Sequence, residues 1–298
     1  MHRYLLHNDE IRETSETNLA AGQVGLLAGW GVFSTLRVYD GVMFGWERHW
    51  ERMQRDAARM RVPFPSEPGK LFDSLNRLID ANGALNSTLR VVAVRNQGGL
   101  YTGPGQTRDF DLIAFTVDCV NWPASMKLGL IPNGRHAASE FAGTKYTSWS
   151  ENLMRYERAH EQGLDEVILF NERSEVAECT SANVFCVHGR KVSTPPLSSG
   201  CLPGVTRAIL LEEIEIPDID IRERVLLQAD LESADEVLIT STTREILPVT
   251  YIEGLPGAGL ARGGHGVCES LRAAFRKNVD AYVSGHSRSM LGRNIPAI

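Results

Sequence analysis

The first third of the chain alternates between strand-like and helix-like patterns of apolar residues. Apolar and polar residues alternate through a segment that ends at Tyr39, as expected for a strand with one buried face. Asp40 and Gly41 follow it and form a strong signal for a hairpin turn. The predicted elements are a strand over Gly31–Tyr39, helices over Arg48–Met60 and Lys70–Ala84, and strands over Thr88–Arg95 and Phe110–Val117.

The pattern changes after residues 121–125, Asn-Trp-Pro-Ala-Ser, a segment typical of a linker. The clearest elements beyond it are strands over Lys127–Ile131, Glu166–Phe170, Asn183–Val187 and Glu236–Ser241, and helices over Ser150–Gln162, Thr206–Ile214 and Val267–Val283. Strands and helices mixed in this way predict an α/β (α+β) fold with two domains. We place a small N-terminal domain at 1–119, a linker at 120–126 and a larger domain at 127–298.

The composition is that of a soluble globular protein, and it narrows the range of partners. The 298 residues carry a net charge of −6 without a basic run, which argues against nucleic acid as a partner. No stretch approaches the roughly 18 apolar residues of a membrane span, and no signal peptide is visible. Five cysteines without a CxxC pair argue against a disulfide framework and a zinc site. We therefore expect reduced thiols, a cytoplasmic location and no bound metal.

Lys145 is one of only five lysines, and it stands where a run of small residues meets a predicted helix. A lysine held out of bulk water loses hydration, which lowers the pKa of its ammonium group and makes the amine nucleophilic. Such an amine can form a Schiff base with a carbonyl compound or with pyridoxal phosphate. Most single lysines are solvated surface residues, so the neighbouring motifs decide between the two interpretations.

Further motifs accompany Lys145 in a fixed order. They are Phe33-Ser-Thr-Leu-Arg-Val with His49-Trp-Glu-Arg52, then Glu178-Cys-Thr-Ser-Ala-Asn183-Val-Phe185, then Leu202-Pro-Gly-Val-Thr206-Arg207 with Thr240-Ser-Thr-Thr243 farther on. Together with Lys145, this set resembles the class IV aminotransferases, fold-type IV enzymes that use pyridoxal 5'-phosphate. The resemblance covers the chain from Val24 to Val249. It implies a small α/β domain, a larger pseudo-barrel domain that anchors the cofactor, and a homodimer.

The resemblance gives Lys145 and Glu178 the central roles. Lys145 would hold the cofactor as a Schiff base and later carry protons between substrate and cofactor. Glu178 would face the pyridine nitrogen, where a carboxylate keeps that nitrogen protonated and the ring a better electron acceptor. Taken singly, the two side chains would be better interpreted as a surface lysine and a surface glutamate at a turn, so the roles rest on the set of motifs.

The cofactor phosphate would be held at the start of a helix. Gly204 precedes a predicted helix whose first N–H groups and dipole make an anion site. By the resemblance, the backbone of Val205 and Thr206 and the Thr206 hydroxyl would bind the phosphate, with Arg52 as the cation. Alone, these residues are also typical of an ordinary helix start and a solvated arginine. The other implied cofactor contacts are Leu202 on the ring face and Thr242 at the phosphate.

The candidate substrate contacts are Phe33, Thr35, Arg90, Trp149 and Thr243. Arg90 matches an arginine associated with the second carboxylate of 2-oxoglutarate. The turn at Thr243 carries N–H groups that could donate to a substrate carboxylate. Trp149, four residues after the lysine, occupies a place where branched-chain enzymes usually have a tyrosine, and its indole can only donate.

The motifs leave more than one reaction open. Gly98–Thr102 lacks the Arg-x-His pair of D-amino acid aminotransferases, so we do not expect D-specificity. We predict a transaminase that moves an amino group between an amino acid, branched-chain or broader, and a 2-oxo acid. The motifs that begin at Phe33 and Glu178 also resemble aminodeoxychorismate lyases, which release pyruvate and p-aminobenzoate, and there Thr35 or Ser34 would assist protonation. A non-catalytic small-molecule binding protein is the alternative outside the enzymes.

Overall fold

A computed structural model describes residues 1–20, 22–99, 108–256 and 266–287. The chain forms two compact units. Unit 1 comprises Met1–Val120, Lys145–Ser148 and Val279–Ile298, and unit 2 comprises Asn121–Thr144 and Trp149–Asn278. The predicted domain ranges, 1–119 and 127–298, divide the chain at one linker, whereas these units interleave along the chain, and the ranges stay a prediction.

Unit 1 contains one six-stranded antiparallel sheet. Its strands are β1 (Tyr4–His7), β2 (Glu10–Glu13), β3 (Gly31–Tyr39), β4 (Val42–Met43), β5 (Ser87–Arg95) and β6 (Phe110–Val117), and its helices are α1 (Val24–Ala28), α2 (Trp46–Arg59) and α3 (Pro68–Ala81). The strand order is β2-β1-β6-β5-β3-β4. Asp40 and Gly41 turn β3 into β4 with φ values of 47° and 80°, the left-handed conformation that an Asp-Gly hairpin turn requires.

The core of unit 1 forms where α2 and α3 cover the sheet. Trp46, Trp50 and Met53 recur on α2 at helical spacing and are buried against β3 and α3 residues such as Leu36 and Leu75. This packing fixes α2 against β3, and it thereby determines which polar residues of α2 face the strand.

Unit 2 is built on an eight-stranded mixed sheet. Its strands are β7 (Met126–Ile131), β8 (Glu166–Phe170), β9 (Val176–Cys179), β10 (Asn183–His188), β11 (Lys191–Thr194), β12 (Asp220–Glu223), β13 (Glu236–Ser241) and β14 (Glu245–Ile252). Its helices are α4 (Ser150–Glu161), α5 (Val205–Glu212) and α6 (Gln228–Ser233), and a last helix, α7 (Gly266–His286), begins in this unit. The strand order is β12-β11-β10-β13-β14-β7-β8-β9.

The sheet of unit 2 curves strongly. β9 is an edge strand and β10 is third from the opposite edge, yet only the turn Thr180–Ala182 joins them. Cys179 N–H donates to the Ala182 carbonyl across this turn, over 2.7 Å. A flat sheet could not bring these strands together over three residues, so the sheet bends back toward itself. The predicted α+β fold with a pseudo-barrel is confirmed.

The apolar pattern locates most long elements to within a few residues. It misses several strands, among them β1 and β2, which have four residues each, too few for alternation to stand out, and also the eight-residue β14. Helix α3 begins at Pro68 rather than Lys70, because proline suits the first helical turn. Within the described ranges, no helix is both long and apolar enough to cross a membrane. The segment 98–102, on which the expected donor preference depends, extends beyond the described residues, which stop at Gly99 and resume at Arg108.

Candidate functional site

Three polar residues of α2 lie on one buried face of the helix. His49, Arg52 and Asp56 follow each other at spacings of three and four residues, which places them on the same side. All three are buried. Burial lowers the pKa of Arg52 to about 10, an effect that the charge of Asp56 opposes, so the guanidinium stays charged at neutral pH. Burial, together with the charges of Arg52 and Lys145, lowers the pKa of His49 well below 6.5 and keeps its imidazole neutral.

Ser34 of β3 links the first two of these residues. Arg52 Nη2 donates to Ser34 Oγ over 2.9 Å, and Ser34 Oγ lies 2.8 Å from His49 Nδ1. A guanidinium can only donate, so the serine hydroxyl retains its own proton for Nδ1. Nδ1 of a neutral histidine is then an acceptor, and the ring proton lies on Nε2. That atom is buried and has no hydrogen-bond partner among the described residues.

The backbone of Lys145 is held on both sides in unit 1, through its N–H and through its carbonyl. Its N–H donates to Asp56 Oδ2 over 3.0 Å, and its carbonyl accepts from the N–H of Phe33 over 3.1 Å. Tyr146 forms an antiparallel bridge with Val32, which extends the pairing along β3. The sequence predicts a loop before a helix here, and α4 does begin at Ser150, but the pairing to β3 has no signal in the local pattern.

The aromatic ring of Phe33 lies beside two cations. Lys145 Nζ is 4.6 Å from the ring centroid, and the guanidinium carbon of Arg90 is 4.0 Å from it. Arg90 is opposite Thr35 in the β3–β5 register, so Phe33, Thr35 and Arg90 share one face of the sheet. Burial lowers the pKa of Arg90, which remains a cation. Unit 1 therefore brings together four of the predicted site residues, Phe33, Thr35, Arg90 and Lys145, and the last of these carries an amine.

In unit 2, the carboxylate of Glu178 is engaged at both oxygens. Arg135 Nε donates to Oε1 over 2.8 Å, and the backbone N–H of Leu202 donates to Oε2 over 3.0 Å. Arg135 also donates from Nη1 to Asn152 Oδ1 over 3.0 Å, and Asn152 donates to the Thr180 carbonyl over 3.2 Å. Arg135 is absent from the predicted site. The sequence could have indicated Arg135 only indirectly, through the argument that a buried carboxylate at Glu178 needs a cation beside it.

The turn before α5 leads into the first turn of a helix, whose backbone N–H groups are potential donors. Gly204 is the N-cap residue, and as a glycine it has no side chain that could cap the helix. The first N–H groups of any α-helix lack partners within the helix. Val205 and Thr206 occupy this first turn and are buried. Asn183 Nδ2 donates to the Leu202 carbonyl over 2.8 Å and fixes the turn. A Cβ atom on Gly204 would lie 2.1 Å from Asn183 Oδ1, so only glycine fits.

The turn between β13 and β14 carries Thr242 and Thr243, both half-buried. The Thr243 carbonyl accepts from Trp122 Nε1 over 3.0 Å. Beneath the turn, Arg244 donates to Ser181 Oγ over 2.9 Å and lies 3.4 Å from Glu166 Oε2, and both members of this ion pair are buried. The turn therefore rests on a buried polar network.

Trp149 is the N-cap residue of α4 and is half-buried in unit 2. Each unit thus gathers a part of the predicted set. Unit 1 has an amine next to an aromatic ring and a buried cation, and unit 2 has a compensated carboxylate and a helix start suited to an anion.

Comparison with known proteins gives consistent matches over most of the chain. A family model described as "Amino-transferase class IV" matches residues 31–252. The chain is 27% identical over 268 residues to the branched-chain-amino-acid aminotransferase of Salmonella typhimurium, covering 85% of each protein. It is equally 27% identical over 268 residues to the D-alanine aminotransferase of Bacillus licheniformis, covering 84% of this chain and 88% of that protein.

The fold also matches solved structures. One is a crystal structure from Legionella pneumophila, assigned provisionally as a 4-amino-4-deoxychorismate lyase. It superposes with a TM-score of 0.80 at 22% identity, over 89% of this chain and 97% of that one. At this identity the likeness establishes a shared fold.

Proposed function

Since the chain belongs to the class IV aminotransferases and is a pyridoxal-phosphate-dependent enzyme, we propose that Lys145 is the lysine that binds the cofactor covalently. The observation that carries this proposal is the doubly held peptide of Lys145, with its amine 4.6 Å from the Phe33 ring. The overall reaction is transamination. The proposed substrates are an amino acid, branched-chain or broader, and a 2-oxo acid.

The groups present fit the three recognisable parts of pyridoxal phosphate. A pyridinium nitrogen matches the carboxylate of Glu178, which Arg135 and the Leu202 N–H hold in place. A phosphate matches the uncapped N-terminus of α5 at Val205 and Thr206. The aldehyde carbon matches the amine of Lys145.

Four further side chains complete the proposed cofactor contacts. Arg52 is a buried cation suited to the phosphate, because a guanidinium matches phosphate oxygens in geometry and charge. Leu202 would cover a face of the ring, and Thr242 and the Thr206 hydroxyl would add donors at the phosphate.

The bound cofactor supplies an electron-withdrawing ring that stabilises negative charge on the substrate Cα atom. Lys145 Nζ would take the proton from the substrate Cα as a general base, and would then donate it to the cofactor as a general acid. The Thr243 turn would orient the substrate carboxylate through its N–H groups. Arg90 would bind a second carboxylate, and the Phe33 ring and Thr35 would line the substrate beside it.

The choice of the amino acid that donates the amino group is part of the proposal. Trp149 presents an indole donor where a tyrosine would present a hydroxyl that both donates and accepts. The branched-chain and D-alanine aminotransferases are equally similar to this chain in identity, so identity alone favours neither donor. The absence of an Arg-x-His pair at 98–102 supports L-amino acids.

A lyase that eliminates pyruvate is the second candidate, supported by the Glu178-Cys-Thr motif and by the fold of the Legionella protein. The hydroxyl of Ser34 is fully buried and is engaged by Arg52 and His49. Thr35 is only half-buried and is therefore the better candidate for assisting protonation in such a reaction.

The test is reduction of the cofactor-loaded protein with borohydride, followed by mapping of the labelled peptide. The label is expected on Lys145, and Lys145→Ala should lose both the label and the visible absorbance of the lysine-bound cofactor. Lys127→Ala, at an exposed lysine, is the control and should keep both. A Lys145→Ala protein with full turnover would refute the assignment.

Substrate assays then separate the two reactions. Alanine, leucine and aminodeoxychorismate are supplied in turn, with and without a 2-oxo acid. A transaminase needs the acceptor to complete its cycle. Release of pyruvate and p-aminobenzoate without acceptor would instead identify the lyase.

Two further predictions belong with this function. We expect a cytoplasmic location, in keeping with an odd number of cysteines and no CxxC pair in the sequence. We also expect a homodimer, for which the molar mass in solution by light scattering is the direct measurement.

A further inference from the structure

The geometry points to Asp56 as a positioning residue for Lys145, one that fixes the lysine backbone so that its amine has a single approach to the cofactor. This inference rests on the proposed covalent role of Lys145. It adds a residue that none of the sequence motifs includes.

The contact that carries the inference is specific. Asp56 Oδ2 accepts the backbone N–H of Lys145 over 3.0 Å, and the two residues are 89 positions apart in the chain. Asp56 is 1% exposed, so its carboxylate is kept from bulk water. The bond itself is part-buried, and an N–H that loses its acceptor there is destabilising, so the carboxylate supports this backbone conformation.

The other oxygen of Asp56 is also engaged. Arg55 Nε donates to Oδ1 over 3.0 Å, and this orients the carboxylate so that Oδ2 faces Lys145. On the opposite side of the lysine peptide, the carbonyl accepts from Phe33 N–H. The backbone of residue 145 is thus held between α2 and β3, and loss of Asp56 would remove the contact to α2.

The same helix face carries Arg52, four residues before Asp56, and the aspartate charge raises the pKa of that guanidinium against the effect of burial. One element, α2, therefore bears both the proposed phosphate cation and the residue that fixes the lysine. A rigid helix holds two such groups at constant separation, as a reaction that depends on precise positioning requires.

Three variants distinguish positioning from other roles. Asp56→Ala removes the acceptor. Asp56→Asn keeps an oxygen that can accept from Lys145 N–H, while Arg55, whose side chain is 42% exposed, turns to water. Asp80→Ala removes an exposed carboxylate from α3 of the same unit and serves as the control.

The first measurement is hydrogen exchange at the Lys145 amide in the cofactor-free protein, which reports the contact independently of activity. Exchange should be faster in Asp56→Ala and close to wild type in Asp56→Asn and Asp80→Ala. The second is the rate at which added pyridoxal phosphate attaches to Lys145, followed by absorbance. Asp56→Ala should slow attachment and lower kcat by about tenfold to a hundredfold, with little change in KM, because a displacement near 1 Å costs about that much.

Rescue by Asp56→Asn is the decisive comparison. If Asp56→Asn is as slow as Asp56→Ala, the charge and not the hydrogen bond matters, and the inference is wrong. Unchanged exchange and attachment in Asp56→Ala would also overturn it. If Asp56→Ala does not fold, Asp56→Ser, too short to reach the lysine N–H, takes its place. Borohydride labelling of a lysine other than Lys145 would instead refute the proposed function, so the two failures are separable.

Discussion

Arg135 Nε donates to Glu178 Oε1 over 2.8 Å, and this bond compensates the charge of a carboxylate that is 7% exposed. Arg135→Met removes the cation and leaves the carboxylate with only the Leu202 N–H. We expect the free energy of unfolding to fall by about 1–3 kcal/mol, since a buried charged group loses a partner. Urea unfolding of the cofactor-free protein measures the change.

An exposed ion pair is the control for this prediction. Arg12 Nη2 pairs with Glu10, but the two side chains are 45% and 66% exposed, and exposed pairs contribute little. Arg12→Met should therefore leave the unfolding midpoint nearly unchanged. Equal losses in the two variants would show that Arg135 has no special role at Glu178.

The buried His49 predicts a pH dependence of stability. Burial lowers its pKa in the folded state below 6.5, so the unfolded chain binds a proton that the folded chain does not. Stability is therefore complete above about pH 6.5 and falls below it, by up to about 1.4 kcal/mol per pH unit from this group. His49→Gln should be less sensitive than wild type to a change from pH 7.5 to 5.5, as measured by chemical unfolding. Equal sensitivity in the two proteins would contradict the buried neutral state.

The turn before α5 should not tolerate a side chain at residue 204. In Gly204→Ala the new Cβ meets Asn183 Oδ1 at 2.1 Å, so the turn and the N-terminus of α5 must shift. We expect a loss of about 1–3 kcal/mol in stability and weaker binding of pyridoxal phosphate to the cofactor-free protein. Gly69→Ala is the control, because nothing lies within 4 Å of its Cβ position. A Gly204→Ala protein with wild-type cofactor affinity would argue against a phosphate site at this turn.

The role proposed for Arg90 predicts a change in acceptor preference. Arg90→Met should lower kcat/KM for 2-oxoglutarate by about tenfold to a hundredfold, because a charge-assisted hydrogen bond to the second carboxylate is lost. Pyruvate, which has no second carboxylate, should be affected far less. Arg37→Met provides the control, since Arg37 also lies over an aromatic ring, that of Tyr39 at 4.9 Å, on the same strand as Phe33. A uniform loss with both acceptors would assign Arg90 to packing on Phe33.

The strands and the motifs can be predicted from the sequence because each depends on residues that are close together in the chain. In β3 the less buried Thr35 and Arg37 alternate with buried apolar residues, and the Asp40-Gly41 turn follows from its left-handed backbone. Arg135 is different, because its bond to Glu178 joins residues 43 positions apart and leaves no periodic trace.

Two helices show why polar positions are hard to interpret from the sequence. On α4, Asn152 is buried while Leu153 is 49% exposed, because Asn152 bonds to Arg135 and the Thr180 carbonyl. On α2, Asp56 resembles one more charged residue of a solvated face, and only the folded chain shows that it meets Lys145. Polar residues buried by specific partners break the apolar pattern on which such predictions depend.

Two hydrogen bonds hold the backbone of residue 145, through its N–H and its carbonyl, so the fold specifies the place of this residue through groups that every amino acid except proline carries. A chain with alanine at this position would keep these backbone contacts and leave a space of the size of propylamine, the atoms that lysine has beyond its Cβ. Small primary amines added in solution could enter that space and restore part of the proton transfer. The backbone contacts therefore define the position, and the lysine side chain supplies the base.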